Sequence, residues 1–187
     1  MSTVESLSNH FLIAMPALSD PNFHHTTTLI CEHNADGALG LVINRPIDLQ
    51  LGDILEHMGI DPGSSEIAAL PIYMGGPVQN DRGFVLHEPL GSWEATLKVT
   101  ETTGITSSRD ILEAIARGEG PARSFITLGY AGWGAGQLEQ ELAANAWLSG
   151  PASTRIVFDT PCEERWEAAA ALLGIDLKLI SGDAGHA

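Results

Sequence analysis

The run Thr26-Thr27-Thr28-Leu29-Ile30-Cys31-Glu32, then Asn34-Ala35-Asp36-Gly37, then Leu39-Gly40-Leu41-Val42-Ile43-Asn44, decides the class of the fold. The first piece is β-branched and apolar, which favours a strand. The second supplies the Asn, Asp and Gly chemistry of a turn. In the third, Leu39, Leu41 and Ile43 alternate with Gly40, Val42 and Asn44, so the whole reads as a hairpin. Working outward, residues 11–15 predict a further strand stopped by Pro16. Leu51, Ile54, Leu55 and Met58 recur at i, i+3, i+4 and i+7, the spacing of a short amphipathic helix that Gly59 ends. Strand-like pieces follow at 72–74, 83–87, 95–100, 124–128 and 155–158. Ser107 with Asp110 signals a helix start, 137–147 reads as a helix, and Thr160-Pro161-Cys162-Glu163 opens another that runs to Leu173 and ends at Gly174. Strands come in a run early and alternate with helices later. That order predicts an α+β fold with a mixed, mainly antiparallel sheet.

The length of 187 residues suits a single domain over residues 1–187, with no linker, repeat or low-complexity tract. Hydrophobic residues make up 44% and charged residues 18%, the composition of a globular chain rather than a disordered one. The charge is uneven. Nine Lys and Arg stand against 24 Asp and Glu, a formal net charge of −15. Nucleic-acid affinity rests on cations that release phosphate counterions, and this chain has two lysines, Lys98 and Lys178, and no basic run. Direct DNA binding and binding to anionic membranes are therefore disfavoured. The opening MSTVESLSNHF lacks a basic n-region, and the longest apolar run, 11–18, falls well short of the ~20 residues of a membrane span. The expectation is a cytoplasmic protein whose two cysteines, Cys31 and Cys162, are thiols.

Several stretches carry residues suited to chemistry. Gly129-Tyr130-Ala131-Gly132-Trp133-Gly134-Ala135-Gly136 reads as a glycine-rich turn between a strand and a helix. Such a turn either packs closely or cradles a ligand with free backbone N–H groups. It matches no dinucleotide or P-loop pattern. Gly75-Gly76-Pro77-Val78 with Arg82 behind it ends a strand, and so does Asn44-Arg45-Pro46. An arginine at such a place is either solvated or a bidentate partner for a carboxylate or phosphate. Cys31 beside His33 reads as a buried inert thiol or as a nucleophile, since only the thiolate reacts. Cys162 has the weaker claim because Glu163 and Glu164 oppose a thiolate there. His87, ending a strand near Arg82, is the histidine best placed for a pocket. No metal-ligand spacing occurs among the seven histidines, and no metal or cofactor is expected.

The words His10-Phe-Leu-Ile-Ala-Met-Pro16, Ile30-Cys-Glu-His33, Gly40-Leu-Val-Ile-Asn-Arg-Pro46, Gly75-Gly-Pro-Val78 and Arg82-Gly-Phe-Val-Leu-His87 resemble the bacterial YqgE/AlgH family. So do Gly129-Tyr-Ala-Gly-Trp-Gly-Ala-Gly-Gln-Leu-Glu139, Asn145-Ala-Trp147, Arg165-Trp166 and the closing Gly185-His-Ala187. The resemblance implies a single α+β domain whose sheets form a pseudo-barrel with helices outside. It implies no catalytic residue, since none is settled in the family; one branch is named for a role in alginate regulation.

The functional expectation is a small-ligand-binding or regulatory module, acting on transcription indirectly if at all. Its expected site joins Asn44, Arg45, Gly75, Gly76, Pro77, Arg82, His87, Gly132, Trp133 and Gly134 around a small anionic ligand or a protein partner. The rival expectation is a thiol-dependent enzyme or redox sensor using Cys31.

Overall fold

The computed structural model describes residues 6–21, 23–177 and 179; the closing 185–187 words lie outside them. The described residues form ten strands and six α-helices. The strands are β1 (His10–Ala14), β2 (Thr27–Asn34), β3 (Gly37–Val42), β4 (Pro46–Gln50), β5 (Pro71–Met74), β6 (Val78–Glu88), β7 (Thr96–Lys98), β8 (Gly104–Thr106), β9 (Arg123–Gly134) and β10 (Trp147–Pro151). The helices are α1 (Leu51–His57), α2 (Ser65–Ala68), α3 (Arg109–Ala116), α4 (Gln137–Ala143), α5 (Thr154–Asp159) and α6 (Arg165–Ala171), the last preceded by a 3-10 turn, Cys162–Glu164. The class is α+β, and every strand pair is antiparallel except β5 with β9.

Two compact units divide the chain, Met1–Arg45 with Ala131–Ala187, and Pro46–Tyr130. In the first, the strands run in the order β10, β1, β2, β3 and the end of β9. The hairpin forms as its residues indicate, with Asn34 opposite Gly37. A bulge between Ile30 and Glu32 leaves Cys31 as the extra residue. Leu12, Ala14, Ile30, Ala131, Trp133, Leu138 and Trp147 make the core of this unit. Glu141 completes it, because Oε1 accepts the indole N–H of Trp133 at 3.0 Å and of Trp147 at 2.9 Å. Two largely buried rings thus keep a partner for their one polar atom.

In the second unit, β4 pairs with β5, β5 with β9, β9 with β6, β6 with β8 and β8 with β7. Leu51, Leu55, Ile72, Val85, Ile111, Leu112, Ile115 and Ile126 form its core. The apolar stripe read at 51–58 is the buried face of α1. Gly59, at φ +72°, ends that helix by donating to Glu56 O while Ile60 N reaches Leu55 O.

Three local expectations are corrected. Residues 155–158 are helical, within α5, because Ile156 and Val157 both turn into the core, which an alternating strand would not allow. The glycine-rich run is strand up to Gly134. Ala131 and Trp133 point inward and alternate with the exposed Gly132 and Gly134, and the run pairs with 37–40 of β3. The helix expected over 137–147 stops at Ala143. Asn145 takes φ +60° and donates to Leu142 O while Ala146 N reaches Glu141 O, which frees Trp147 to begin β10.

Candidate functional site

One feature of β6 organises the second unit. Val78 pairs with Tyr130 and Gly83 with Leu128, so residues 79–82 face Gly129 alone. The surplus bulges outward and all four residues are exposed. Gln79 holds φ +47°, a left-handed conformation unusual for a side chain other than glycine, asparagine or aspartate. Two glycines make the bulge possible. A Cβ on Gly129 would lie 2.4 Å from Gly76 O and 3.0 Å from Asn80 Cα, and one on Gly75 would lie 2.3 Å from Gly129 O. Backbone therefore packs directly on backbone at Gly75, Gly76 and Gly129. Bulges of this kind re-aim side chains and concentrate beside binding sites.

The side chains re-aimed here are Asp81 and Arg82, and both line a cavity of about 610 Å³. Its floor is apolar, built from Leu49 of β4, Ile54 and Met58 of α1, Leu112 of α3 and Leu128 of β9. Its rim is polar and carries Asp53 and His57 on one face of α1, Asp81 and Arg82 on the bulge, and Ser107, Ser108 and Arg109 where α3 begins. An apolar floor with a few convergent polar groups is the usual form of a small-molecule site, whose volumes run from roughly 300 to 1,000 Å³.

The rim groups differ in how far they are committed. Arg82 Nη2 donates to Ser107 Oγ at 3.2 Å, and its guanidinium stands 5.8 Å from the centre of the Phe84 ring. These contacts hold the fork while leaving most of its five donors for a ligand. Arg109 Nε lies 3.5 Å from Glu113 Oε2. Asp53 accepts the Gln50 N–H at 2.9 Å and caps α1. The start of α3 is already occupied by an anion. Burial disfavours the charge of Asp110, yet hydrogen bonds from Ser108 Oγ, Glu94 N and Ile111 N prevail and hold its carboxyl below the ordinary aspartate value. The start of α3 thus has its anion from within the chain, while Arg82 keeps donors that no residue uses.

Other residues singled out in the sequence are engaged within their own units. Asn44 Oδ1 accepts from Thr27 N and its Nδ2 donates to His25 O. Arg45 donates to Pro21 O at 2.7 Å and His24 O at 2.9 Å, so its fork fastens a loop. Trp133 is tied to Glu141, and Gly134 N donates to Gln137 Oε1. Pro77 follows Gly76 just before the bulge.

His87 is fully buried. Its Nδ1 must donate to Pro89 O at 3.0 Å, which leaves Nε2 to accept from the Thr106 hydroxyl at 2.6 Å; Thr106 Oγ1 in turn lies 2.8 Å from Thr96 Oγ1. Burial pushes the His87 pKa down, against the opposing pull of the Pro89 carbonyl. His87 is a core group of the β6–β8–β7 pairing, not a lining residue.

Cys31 is 2% exposed, and burial with the neighbouring Glu32 charge pushes its pKa up to about 12. Cys162 is half-buried and also raised, by desolvation first, with Arg165 opposing and Glu163 adding to the rise. Both are free thiols. Among the described residues no group of three or more His, Cys, Asp or Glu could hold a metal ion, and no helix is long and apolar enough to cross a membrane. The sequence reading missed Asp53, His57, Asp81, Ser107 and Arg109. The i, i+4 spacing of Asp53 and His57 on an amphipathic helix was the one signal available for them.

The profile of the AlgH-like family matches residues 11–178. The chain belongs to the AlgH-like family. Among its AlgH-like relatives, a UPF0301 protein of Nitrosococcus oceani is 58% identical over 187 residues, covering all of both chains. One from Thioalkalivibrio sulfidiphilus is 59% identical over the same span, again covering both chains fully. The solution structure of the AlgH protein from Pseudomonas aeruginosa matches with a TM-score of 0.82 and 52% identity, covering 100% of this chain and 99% of that one. A Corynebacterium diphtheriae protein at 19% identity shares the fold, with a TM-score of 0.74 over 97% of this chain and 94% of its own.

Proposed function

We propose that the chain is a small-ligand-binding module of the cytoplasm, with its site in the cavity of the 46–130 unit. The ligand pairs an apolar body with a carboxylate. The observation that carries this reading is Arg82: a guanidinium displayed by a four-residue bulge, steadied by Ser107, at the rim of an apolar floor. A planar carboxylate meets such a fork through two parallel hydrogen bonds. A phosphate would bring a second negative charge against Asp53 and Asp81. Any regulatory role then runs through the ligand or a protein partner, since a net charge of −15 works against DNA. The buried Cys31, with its high pKa, argues against a thiol mechanism.

Calorimetric titration with acetyl-leucyl-leucine tests the reading. Replacing its carboxylate by an amide, or Arg82 by Ala, should each weaken binding by at least about tenfold, the worth of a hydrogen bond to a charged group. Arg82→Ala should change stability by no more than about 0.5 kcal/mol, because the residue is exposed. Equal binding of acid and amide would refute the role of Arg82.

A further inference from the structure

Resting on the proposal that this cavity is a ligand site, we infer that its ligand is a zwitterion, a short unblocked hydrophobic peptide whose carboxylate meets Arg82 and whose ammonium meets Asp81. Asp81 and Arg82 are neighbours on the same bulge, and both line the cavity. Their commitments differ from those of the other charged rim groups. Asp53 caps α1, and Arg109 faces Glu113. Asp81 has no hydrogen-bond or ion-pair partner among the described residues, while Arg82 is positioned by a neutral hydroxyl. The rim therefore offers an unpaired carboxylate next in sequence to a guanidinium held only by a hydroxyl.

A purely anionic ligand satisfies half of that arrangement. It gains Arg82 but shares the rim with the Asp81 carboxylate, in a chain that already carries a net charge of −15. A cationic ligand has the converse difficulty. A dipolar ligand turns the repulsion into a second attraction and changes the net charge of the complex not at all. The floor of Leu49, Ile54, Met58, Leu112 and Leu128 then receives aliphatic side chains. A cavity of about 610 Å³ is large for a single amino acid and suits a di- or tripeptide.

The test compares leucyl-leucine, acetyl-leucyl-leucine and leucyl-leucinamide by calorimetry on the wild-type chain, Asp81→Asn and Arg82→Gln. Leucyl-leucine should bind wild type about five-fold more tightly than the acetylated peptide, the worth of one exposed ion pair. Asp81→Asn should erase that preference without weakening acetyl-leucyl-leucine. Arg82→Gln should erase the preference for acid over amide. If the free and acetylated acids bind wild type equally, the zwitterion is wrong while the carboxylate reading stands. If Asp81→Asn keeps the preference, the ammonium is held elsewhere and the assignment to Asp81 falls. If neither acid binds, the ligand-site reading fails with it.

Discussion

Replacing Gly129 with alanine probes the close approach that builds the bulge, and Gly118 supplies the control. Both glycines hold φ +77° in the same unit. Gly118 follows α3 and Gly129 lies within β9, and what surrounds them differs. A Cβ on Gly118 meets nothing within 4 Å, whereas one on Gly129 lies 2.4 Å from Gly76 O, 3.0 Å from Asn80 Cα and 3.1 Å from Val78 O. Each variant carries the left-handed penalty of roughly 1–2 kcal/mol, partly offset by the lower entropy of an unfolded chain with alanine. Gly118→Ala should therefore lose about 1 kcal/mol. Gly129→Ala must also displace backbone in a packed strand pair, an overpacking cost of roughly 1–3 kcal/mol, for a total of about 3 kcal/mol. At roughly 2–4 °C per kcal/mol for a chain of this size, Tm should fall by about 3 °C for Gly118→Ala and about 9 °C for Gly129→Ala. Thermal unfolding followed by circular dichroism measures both. Because the displaced atoms lie in the bulge and in the residues that lead into it, Gly129→Ala should also weaken peptide binding, while Gly118→Ala should not. Equal Tm losses would show that Gly129 serves its dihedral angle alone, and the account of the bulge would be refuted.

Three further outcomes are expected. Cys31 should alkylate far more slowly than Cys162 at pH 8 in the native chain, by mass mapping after iodoacetamide, because burial and Glu32 raise its pKa to about 12; faster labelling of Cys31 would contradict its burial. His87 should make the chain acid-sensitive. Its folded pKa is lowered, so as pH falls below 6.5 the unfolded chain takes up a proton that the folded chain refuses, and stability declines. Urea midpoints at pH 7.5 and 5.5 should fall less for His87→Gln than for wild type, and identical slopes would exclude His87 as the source. Glu141→Ala strands the indole N–H groups of Trp133 and Trp147 and should cost about 2–3 kcal/mol with a shift in tryptophan emission; an unchanged urea midpoint would show that water replaces the carboxylate.

What the residues reveal divides along the range of the interactions involved. The hairpin at 27–42 and the amphipathic α1 are legible because turn chemistry and apolar spacing act within a few residues of each other. α5 is misread because Ile156 and Val157 are β-branched, and only their joint burial makes the segment helical. In β9, glycines suggest a turn, but Ala131 and Trp133 alternate with Gly132 and Gly134 in the two-residue period of a strand. That signal is local, and the glycines obscure it. The bulge at 79–82 is another matter. It is a register offset against β9, more than forty residues away in sequence, and no local pattern encodes it. Arg82 and the Gly75–Gly76 pair were therefore identifiable as unusual, while Asp81, Ser107 and the floor beneath them depended on tertiary pairing. Arg45 illustrates the reverse case: an arginine after a strand, whose two terminal nitrogens both donate to backbone carbonyls, of Pro21 and His24.

The proposed ligand site is the cavity beside the bulge. Amide chemical-shift mapping during titration with leucyl-leucine tests it most directly. The account predicts perturbations clustered at 49–58, 81–83, 107–112 and Leu128, with Arg82 and Ser107 among the largest and the 37–45 segment unmoved. Perturbations centred on 37–45 or on 131–134, or scattered over the chain without the bulge, would contradict it.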